Sequence, residues 1–510
     1  MKHRIFSVVL CLVMICSFLL PSAGCIGAKK AVKLKQTSVS LKVGEKKKIK
    51  VKNAPKSAII TFASDNKKVA SVTKYGVIRA KNIGFAGITV RIKKKNKTIK
   101  KLYCMVEVVR APYEPKLSDE FTGDKDAPID EAFADQVRDF SVDMFRIAAA
   151  DDVSSGKNTM ISPFSVLTDM MMAAGGADGT TLDEMKKVMC GSVGFDSFRK
   201  SLSDLNARFF YSDPVIFHMA NSVWVRDEDD RIKVKQSFLS DSLKWYNAEA
   251  YQVPFDAAFA EKVNAWVNKN TLGMIPKLME GAPADSDVMH LINAIAFEGA
   301  WAEPYTDFQI YEKGEFTSAK GEKEKATMLC DTQSTYFHDE NATGFARPYE
   351  GYSYSFVAIL PNENISAADY LKNLDGKTFA NFIGSSQGGY DVHTRIPEFA
   401  YDYSNELNAP LKEMGIKNAF DEDADFSSMA ETKSGALYID KVIHKTHIEL
   451  DRNGTKAAAV TDVSMSDTTS LEPDPKKSID IFLDRPFIYA IIERDTGIPV
   501  FMGVLNTLKQ

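Results

Sequence analysis

Apolar and polar residues alternate with a period near two over residues 33–109, in short runs that include "VSLKV", "IITFAS", "VASVT", "GVIRAK", "AGITVRIKK" and "YCMVEVV". Gly44, Asn53–Pro55, Asp65–Asn66, Gly76, Gly84 and Asn96 punctuate them at turn spacing. Short strands separated by such turns predict a small antiparallel sandwich. The stretch "APYEPKLSDEFTGDKDAP", rich in Pro, Asp and Lys, reads as a linker over 110–128. The pattern then changes. "FADQVRDFSVDMFRIAAA", "SPFSVLTDMMMAAGG" and "FDAAFAEKVNAWVNKNT" place apolar residues at helical spacing. The second has Ser162 as N-cap, Pro163 in the first turn and Gly175 near its end. "VMHLINAIAFEG", "YSFVAILP", "ALYIDKVIHKTHIEL" and "FIYAIIERD" read as strands. Residues 129–510 are thus an α+β unit with ample core material.

The first residues form a third pattern. Lys2 and Arg4 precede the apolar run "IFSVVLCLVMICSFLL", which is shorter than the ~20 residues that span a bilayer. Residues 1–24 read as an export signal. "SAGC" resembles a lipobox and makes Cys25 a candidate lipid anchor, with Ser22 standing where Leu is usual. The chain is therefore expected to be extracellular or at the cell surface, reaching a membrane only through such an anchor. Beyond residue 25, Cys104, Cys190 and Cys330 are odd in number and far apart, as buried thiols are rather than a disulfide framework.

Charge sharpens the division. The net charge is −4, but residues 29–110 alone carry +21 and residues 111–510 carry −27. Lysines alternating with apolar residues line the wet face of the predicted sandwich. A soluble spacer is the plain reading, and adhesion to an anionic cell-envelope polymer is the functional one. Nucleic acid is not expected as a partner.

The remaining motifs carry little chemistry. "GSSQG" around Ser386 satisfies G-x-S-x-G, but a strand-like run follows where a hydrolase elbow needs a helix. His444 and His447 lie in a strand-like run, so their rings point to opposite faces. No metal, cofactor or enzymatic activity is expected.

"DRNGTKAAAVTDVSMSDTTSLEPDPKK", Asp451–Lys477, raises a sharper question. It begins strand-competent and ends as exposed loop. Thr455, Ala457, Ala459, Thr461 and Val463 are small or apolar and share one face of an extended chain. Lys456, Ala458, Val460, Asp462 and Ser464 share the other, and no proline interrupts Thr455–Ser470.

Two resemblances account for these features. "SDNKKVASVTKYGVIRAKNIGFAGITV" resembles the bacterial group 2 immunoglobulin-like domain. "NTMISPFSVLTDMMMAAGGADGTTLDEM", "MANSVWVRD", "VNAWVNKNTLGMI", "LINAIAFEGAWAEPY", "ADFSSM", "IDKVIHKTHIELDRNGTKAAAVT" and "DRPFIYAIIERDTGIPVFMG", in this order, resemble the serpins over 129–510. That resemblance implies three sheets, about nine helices and an exposed reactive-centre loop. It implies inhibition of a serine protease as a monomer: the cut loop inserts into the large sheet with the protease still bound as an acyl ester. A noninhibitory binding or chaperone module is the alternative, and a surface hydrolase a remoter one.

Residue by residue, Ser162, Ser165, Asn293 and His444 match the family's "shutter" cluster and Trp301 its "breach" tryptophan. Gly454, Thr455, Lys456, Ala457, Ala458 and Ala459 match the loop hinge. Arg452 and Lys456 stand where the family usually has Glu. The usual spacing puts the scissile bond at Thr468–Thr469, with Met465, Ser466 and Leu471 as alternatives in a long loop. Such residues suit elastase- or subtilisin-like proteases.

Overall fold

The computed structural model describes residues 32–109, 121–455 and 477–509, except 43–44, 56, 82–83, 95–96, 211, 213, 229, 434 and 436. Cys25, Lys456, Ala457, Ala458, Ala459, Thr468 and Thr469 lie outside the described residues. The chain divides into two compact units near residue 114.

The first unit is all β. Four strands, Ser38–Lys42, Lys97–Val109, Gly84–Lys94 and Ile59–Ser64, form one sheet. Lys46–Lys48, Val77–Ala80 and Ala70–Val72 form a second. Leu41, Ile78, Ile88, Val90, Ile92 and Val106 supply a closed core. The expectation of a wholly antiparallel sandwich needs one correction. Ser38–Lys42 runs parallel to Lys97–Val109, because these strands are distant in sequence and no hairpin turn dictates their direction.

The second unit is α+β, with nine α-helices among its described residues. Helix α1 (Glu131–Ser154) is capped by Asp130, which accepts the Phe133 N–H. Helix α2 (Pro163–Ala174) has Ser162 as its N-cap, Pro163 in its first turn and Gly175 as its C-cap, as its sequence predicts. Residues 121–128, within the stretch expected to be a linker, bond onto this unit. Thr122 N–H donates to the Lys244 carbonyl, and Asp124 N–H to the Asp204 carboxylate.

One sheet is the site's scaffold, and its strands are β1 (Ile216–Arg226), β2 (Glu249–Val253), β3 (Met289–Ala300), β4 (Phe399–Glu406), β5 (Ile443–Asp451) and β6 (Gly454–Thr455). Their spatial order is β2-β1-β3-β6-β5-β4. Only the β1–β2 pair is parallel. The run predicted as a strand over 436–450 forms one only from Ile443. Ahead of it, Asn408 Oδ1 accepts the Val442 N–H and the Ala419 carbonyl accepts the Ile439 N–H, so those amides serve loop contacts instead of a ladder.

A second six-stranded sheet packs the core. Its strands Tyr354–Pro361, Phe487–Glu493 and Pro499–Leu505 are buried at every position. Both faces are covered, which explains why these runs do not alternate with polar residues. A four-stranded sheet contains Lys477–Phe482 parallel to Tyr390–Pro397. The described residues on either side of 456–476 therefore belong to different sheets, Thr455 to the first and Lys477 to this one.

Gly503 shows how tightly the second sheet is packed. A Cβ there would lie 2.6 Å from the Thr159 carbonyl oxygen and would also strike the Tyr489 ring. Gly503→Ala is expected to destabilise the unit by about 1–3 kcal/mol, read as a lower midpoint in urea unfolding.

Candidate functional site

The site is the centre of the first sheet. β6 is two residues long and lies between β3 and β5. Thr455 is opposite Gly299 and Leu450, and Gly454 is opposite Ala300 and Asp451. Beyond this short insert, the described residues show no ladder between β3 and β5. A cavity of about 1240 Å³ occupies that end of the sheet. Met289–Asn293 of β3, Ile443 and Lys445 of β5, and Asp169 and Met170 of α2 line it.

The closed end is built around Trp301, which is 1% exposed. Its ring stacks on Tyr349 at 4.7 Å between centroids and 10° between planes. The Trp301 Nε1–H donates to the Asp451 carbonyl at 2.9 Å, and its backbone N–H to the Asn453 carbonyl at 2.9 Å. These bonds tie the end of β3 to the end of β5. The Arg347 guanidinium lies over both Trp301 and Tyr305 and pairs with Asp331. Thr455 is buried here, its Oγ1 2.6 Å from the Tyr349 hydroxyl. Gly454 has a φ of 152°, which side-chain-bearing residues rarely adopt.

The four residues aligned with the shutter meet beneath the sheet. Ser162 N–H donates to His444 Nε2 at 3.0 Å, and Ser162 Oγ–H to the Val500 carbonyl at 2.8 Å. Ser165 Oγ–H donates to Asn293 Oδ1. Asn293 Nδ2 donates to Asn221 Oδ1 at 2.8 Å, Asn221 Nδ2 to the Tyr246 carbonyl at 2.7 Å, and the Tyr246 hydroxyl to the Met171 carbonyl at 3.0 Å. The chain of bonds thus runs from α2 through β3 and β1 and back to α2. Burial lowers the His444 pKa to about 4. The ring is neutral at ordinary pH, with Nε2 free to accept and its proton on Nδ1.

Sequence reasoning missed Asn221, Tyr349 and Asp169. Asn221 stands inside the quoted "MANSVWVRD" and could have been found there. Asp169 likewise stands inside the quoted "NTMISPFSVLTDMMMAAGGADGTTLDEM", whereas Tyr349 carries no motif signal. Arg452, one of two departures at the hinge, is 3.3 Å from Asp307 and 3.8 Å from Glu398. The charge that differs from the family pattern is therefore met by two acids.

The decoys resolve structurally. Ser386 follows helix Gly376–Gly384 and precedes strand Tyr390–Pro397, the reverse of an elbow's order. His447 faces away from His444 and pairs with Asp402 at 2.7 Å. Among the described residues no group of His, Cys, Asp and Glu is arranged to hold a metal, and no helix is long and apolar enough to cross a membrane. Cys104, Cys190 and Cys330 are free thiols, the first two buried.

Comparison with known families places this geometry. Residues 135–507 match the family described as Serpin (serine protease inhibitor). The chain belongs to the serpin family. Residues 28–102 match the bacterial Ig-like domain (group 2). Among relatives of the serpin unit, Iris of Ixodes ricinus is 27% identical over 74% of this chain and 99% of its own. The leukocyte elastase inhibitor of Bos taurus is 28% identical over 72% of this chain and 97% of its own. The crystal structure of the thermophilic serpin Tengpin in its native state superposes with a TM-score of 0.69 at 34% identity, covering 76% of this chain and 97% of that one. Its latent state gives 0.65 at 32% identity, covering 75% and 100%.

Arg452→Glu would set three carboxylates together at the hinge of this serpin. The expected result is a lower melting temperature for Arg452→Glu, with partial recovery when Glu398→Arg is added. The coupling in this double-mutant cycle should be on the order of 0.5–3 kcal/mol, measured by denaturant unfolding.

Proposed function

We propose that this serpin traps serine-type endopeptidases by inserting its cleaved loop into the first sheet. The position of Thr455 carries the reading. It is already paired on both sides, at the head of a cleft whose edges the described residues leave open. Continuing that register sets Ala457 opposite Phe297 and Ile448, and Ala459 opposite Ile295 and Thr446. Thr461 then falls between Asn293 and His444, and Val463 between Leu291 and Val442. Thr455, Ala457, Ala459, Thr461 and Val463 would pack inward over α2, and none is large or charged. Lys456, Ala458, Val460, Asp462 and Ser464 would face outward.

The sequence of steps follows. The protease serine attacks a loop carbonyl, which we place at Thr468, and becomes acylated while the peptide beginning at Thr469 is released. The freed strand of roughly 14 residues, at ~3.3 Å each, carries the acyl-enzyme about 45 Å along the sheet. New ladder hydrogen bonds and buried apolar area drive this movement. The protease active site is distorted before water reaches the ester. Thr468, Met465 or Ser466 at the cleavage position suits an elastase- or subtilisin-like pocket.

The intact mass of a mixture with an elastase-like protease, quenched in acid, tests this. The expected species is protease plus cleaved serpin, with the lost peptide starting at Thr469. Thr455→Arg places a long cation where Tyr349 and the sheet core meet Thr455, so it should give cleavage without adduct. Cleavage without adduct in the wild-type chain would support the noninhibitory reading instead. Ser386→Ala should leave the adduct unchanged.

We further propose export of the chain, a lipid on Cys25, and retention of the +21 unit on an anionic envelope polymer. Release of the protein from isolated envelopes when salt rises from about 0.05 to 0.5 M supports the retention, since screening lengths fall severalfold over that range. Salt-independent partition overturns it.

A further inference from the structure

The four-stranded sheet of the first unit turns one face to its core and the other to solvent. Side chains directly opposite each other on neighbouring strands share a face, and every second residue along a strand returns to it. Ile88, Val90, Cys104 and Val106 take the inner face. On the outer face the register sets Ile59 beside Lys93, Arg91 beside Lys101, and Thr89 beside Tyr103, with Met105 two positions further along. The face extends about 20 Å along the strands from Lys93 to the level of Met105, and about 10 Å across three of them.

Its composition is not that of a plain wet face. Tyr103 is 65% exposed, Ile59 59% and Met105 41%. Single exposed apolar side chains are ordinary, but here three share one surface. Between them stand Arg91, Lys93 and Lys101, none with an ion-pair partner among the described residues. Arg91 and Lys101 are directly opposite each other, and like charges so placed cost stability unless an anion lies over them. Two acids stand at the far end. The Asp65 carboxylate accepts the Gly87 N–H at 2.7 Å, and Glu107 follows Met105 by two positions.

We propose that this face lies on a bilayer of anionic lipids, with Arg91, Lys93 and Lys101 over headgroup phosphates and Ile59, Tyr103 and Met105 entering the interface between them. A polymer of charged groups would meet the cations but has no apolar layer for the other three. A bilayer offers both, and attraction to it grows with buried apolar area as well as with charge. The tyrosine ring suits the boundary, with an apolar body and a polar tip, and the long cationic side chains can lay their stems along it while their heads stay in water. The inference goes beyond the charge-driven retention proposed above, which needs cations alone. Seven positions separate Cys25 from Val32, at most about 25 Å of chain, so a lipid on Cys25 would hold the unit at the same surface.

The test uses the chain from residue 25 onward with Cys25→Ser, so that neither the export signal nor an acyl chain contributes. Cosedimentation should show binding to vesicles of mixed phosphatidylglycerol and phosphatidylcholine, and much less to phosphatidylcholine alone. Arg91→Glu with Lys101→Glu should weaken binding about tenfold or more. Lys46→Glu with Arg79→Glu makes the same charge change on exposed residues of the other sheet, and should weaken it by less than about threefold at physiological salt. Tyr103→Ser should weaken it severalfold, and Ile59→Ser gives the same reading if thermal unfolding shows that Tyr103→Ser does not fold. In Tyr103→Trp the added indole should shift its emission to the blue on binding and be quenched by brominated lipid. The four native tryptophans all lie in the serpin unit, so the parent protein is the blank. Equal losses from the two charge pairs, with no effect of Tyr103→Ser and no quenching, overturn the face and leave charge-driven retention standing. Binding to soluble polyphosphate but to neither vesicle assigns the cations to a polymer and overturns the bilayer. Absence of binding to vesicles, polyphosphate and isolated envelopes overturns both readings.

Discussion

Two strand edges face each other across the first sheet, and the described residues bridge them only at one end. Backbone amides and carbonyls that lack partners in a protected place are costly, at about 1–3 kcal/mol each. An interrupted ladder is therefore a store of free energy for any strand that fits it. The rest of the unit can be understood as holding that interruption in place. Trp301 and Tyr349 seal one end. Ser162, Ser165, Asn293 and His444 bind α2 to the underside of β3 and β5. The second sheet, buried at every position of its three central strands, gives these contacts a rigid base.

The hinge is the part of this arrangement where fit decides direction. Thr455 has both a ladder on each side and a hydroxyl contact to Tyr349, so in the proposed insertion the first residue would start already paired. Strand addition from such a start would need no new nucleation. Each further pair would extend an existing ladder, as a zipper does. Arg452 stays just outside the zipper, held by Asp307 and Glu398, and its unusual charge leaves the strand path clear.

Local features were legible in the sequence for physical reasons. Ser162–Pro163 and Gly175 announce α2, because caps depend only on nearby backbone groups. The apolar runs of the second sheet were visible because strands covered on both faces do not alternate. Partners distant in sequence were not legible. Nothing around Glu398 points to Arg452, 54 positions later, and Tyr349 has no signature that marks it as the neighbour of Thr455. Asp169 is instructive in a different way. An aspartate within a helix normally faces water, and only the placement of β3 above α2 sets this one on the wall of the cleft. The direction of Ser38–Lys42 was missed for a related reason, since alternation sets which face a strand buries and not which way it runs.

The pairing of Thr159–Ile161 with Pro499–Leu505 has a consequence for synthesis. The two partners lie about 340 residues apart in the chain. Closing that loop requires nearly the whole serpin unit to be present, and contacts so far apart in sequence slow folding. The second sheet cannot be completed until Pro499–Leu505 has been made. A chain cut after Ile498 would lose an entire buried strand. The strand pair that closes the second sheet therefore forms only after the strands of the first sheet have been made.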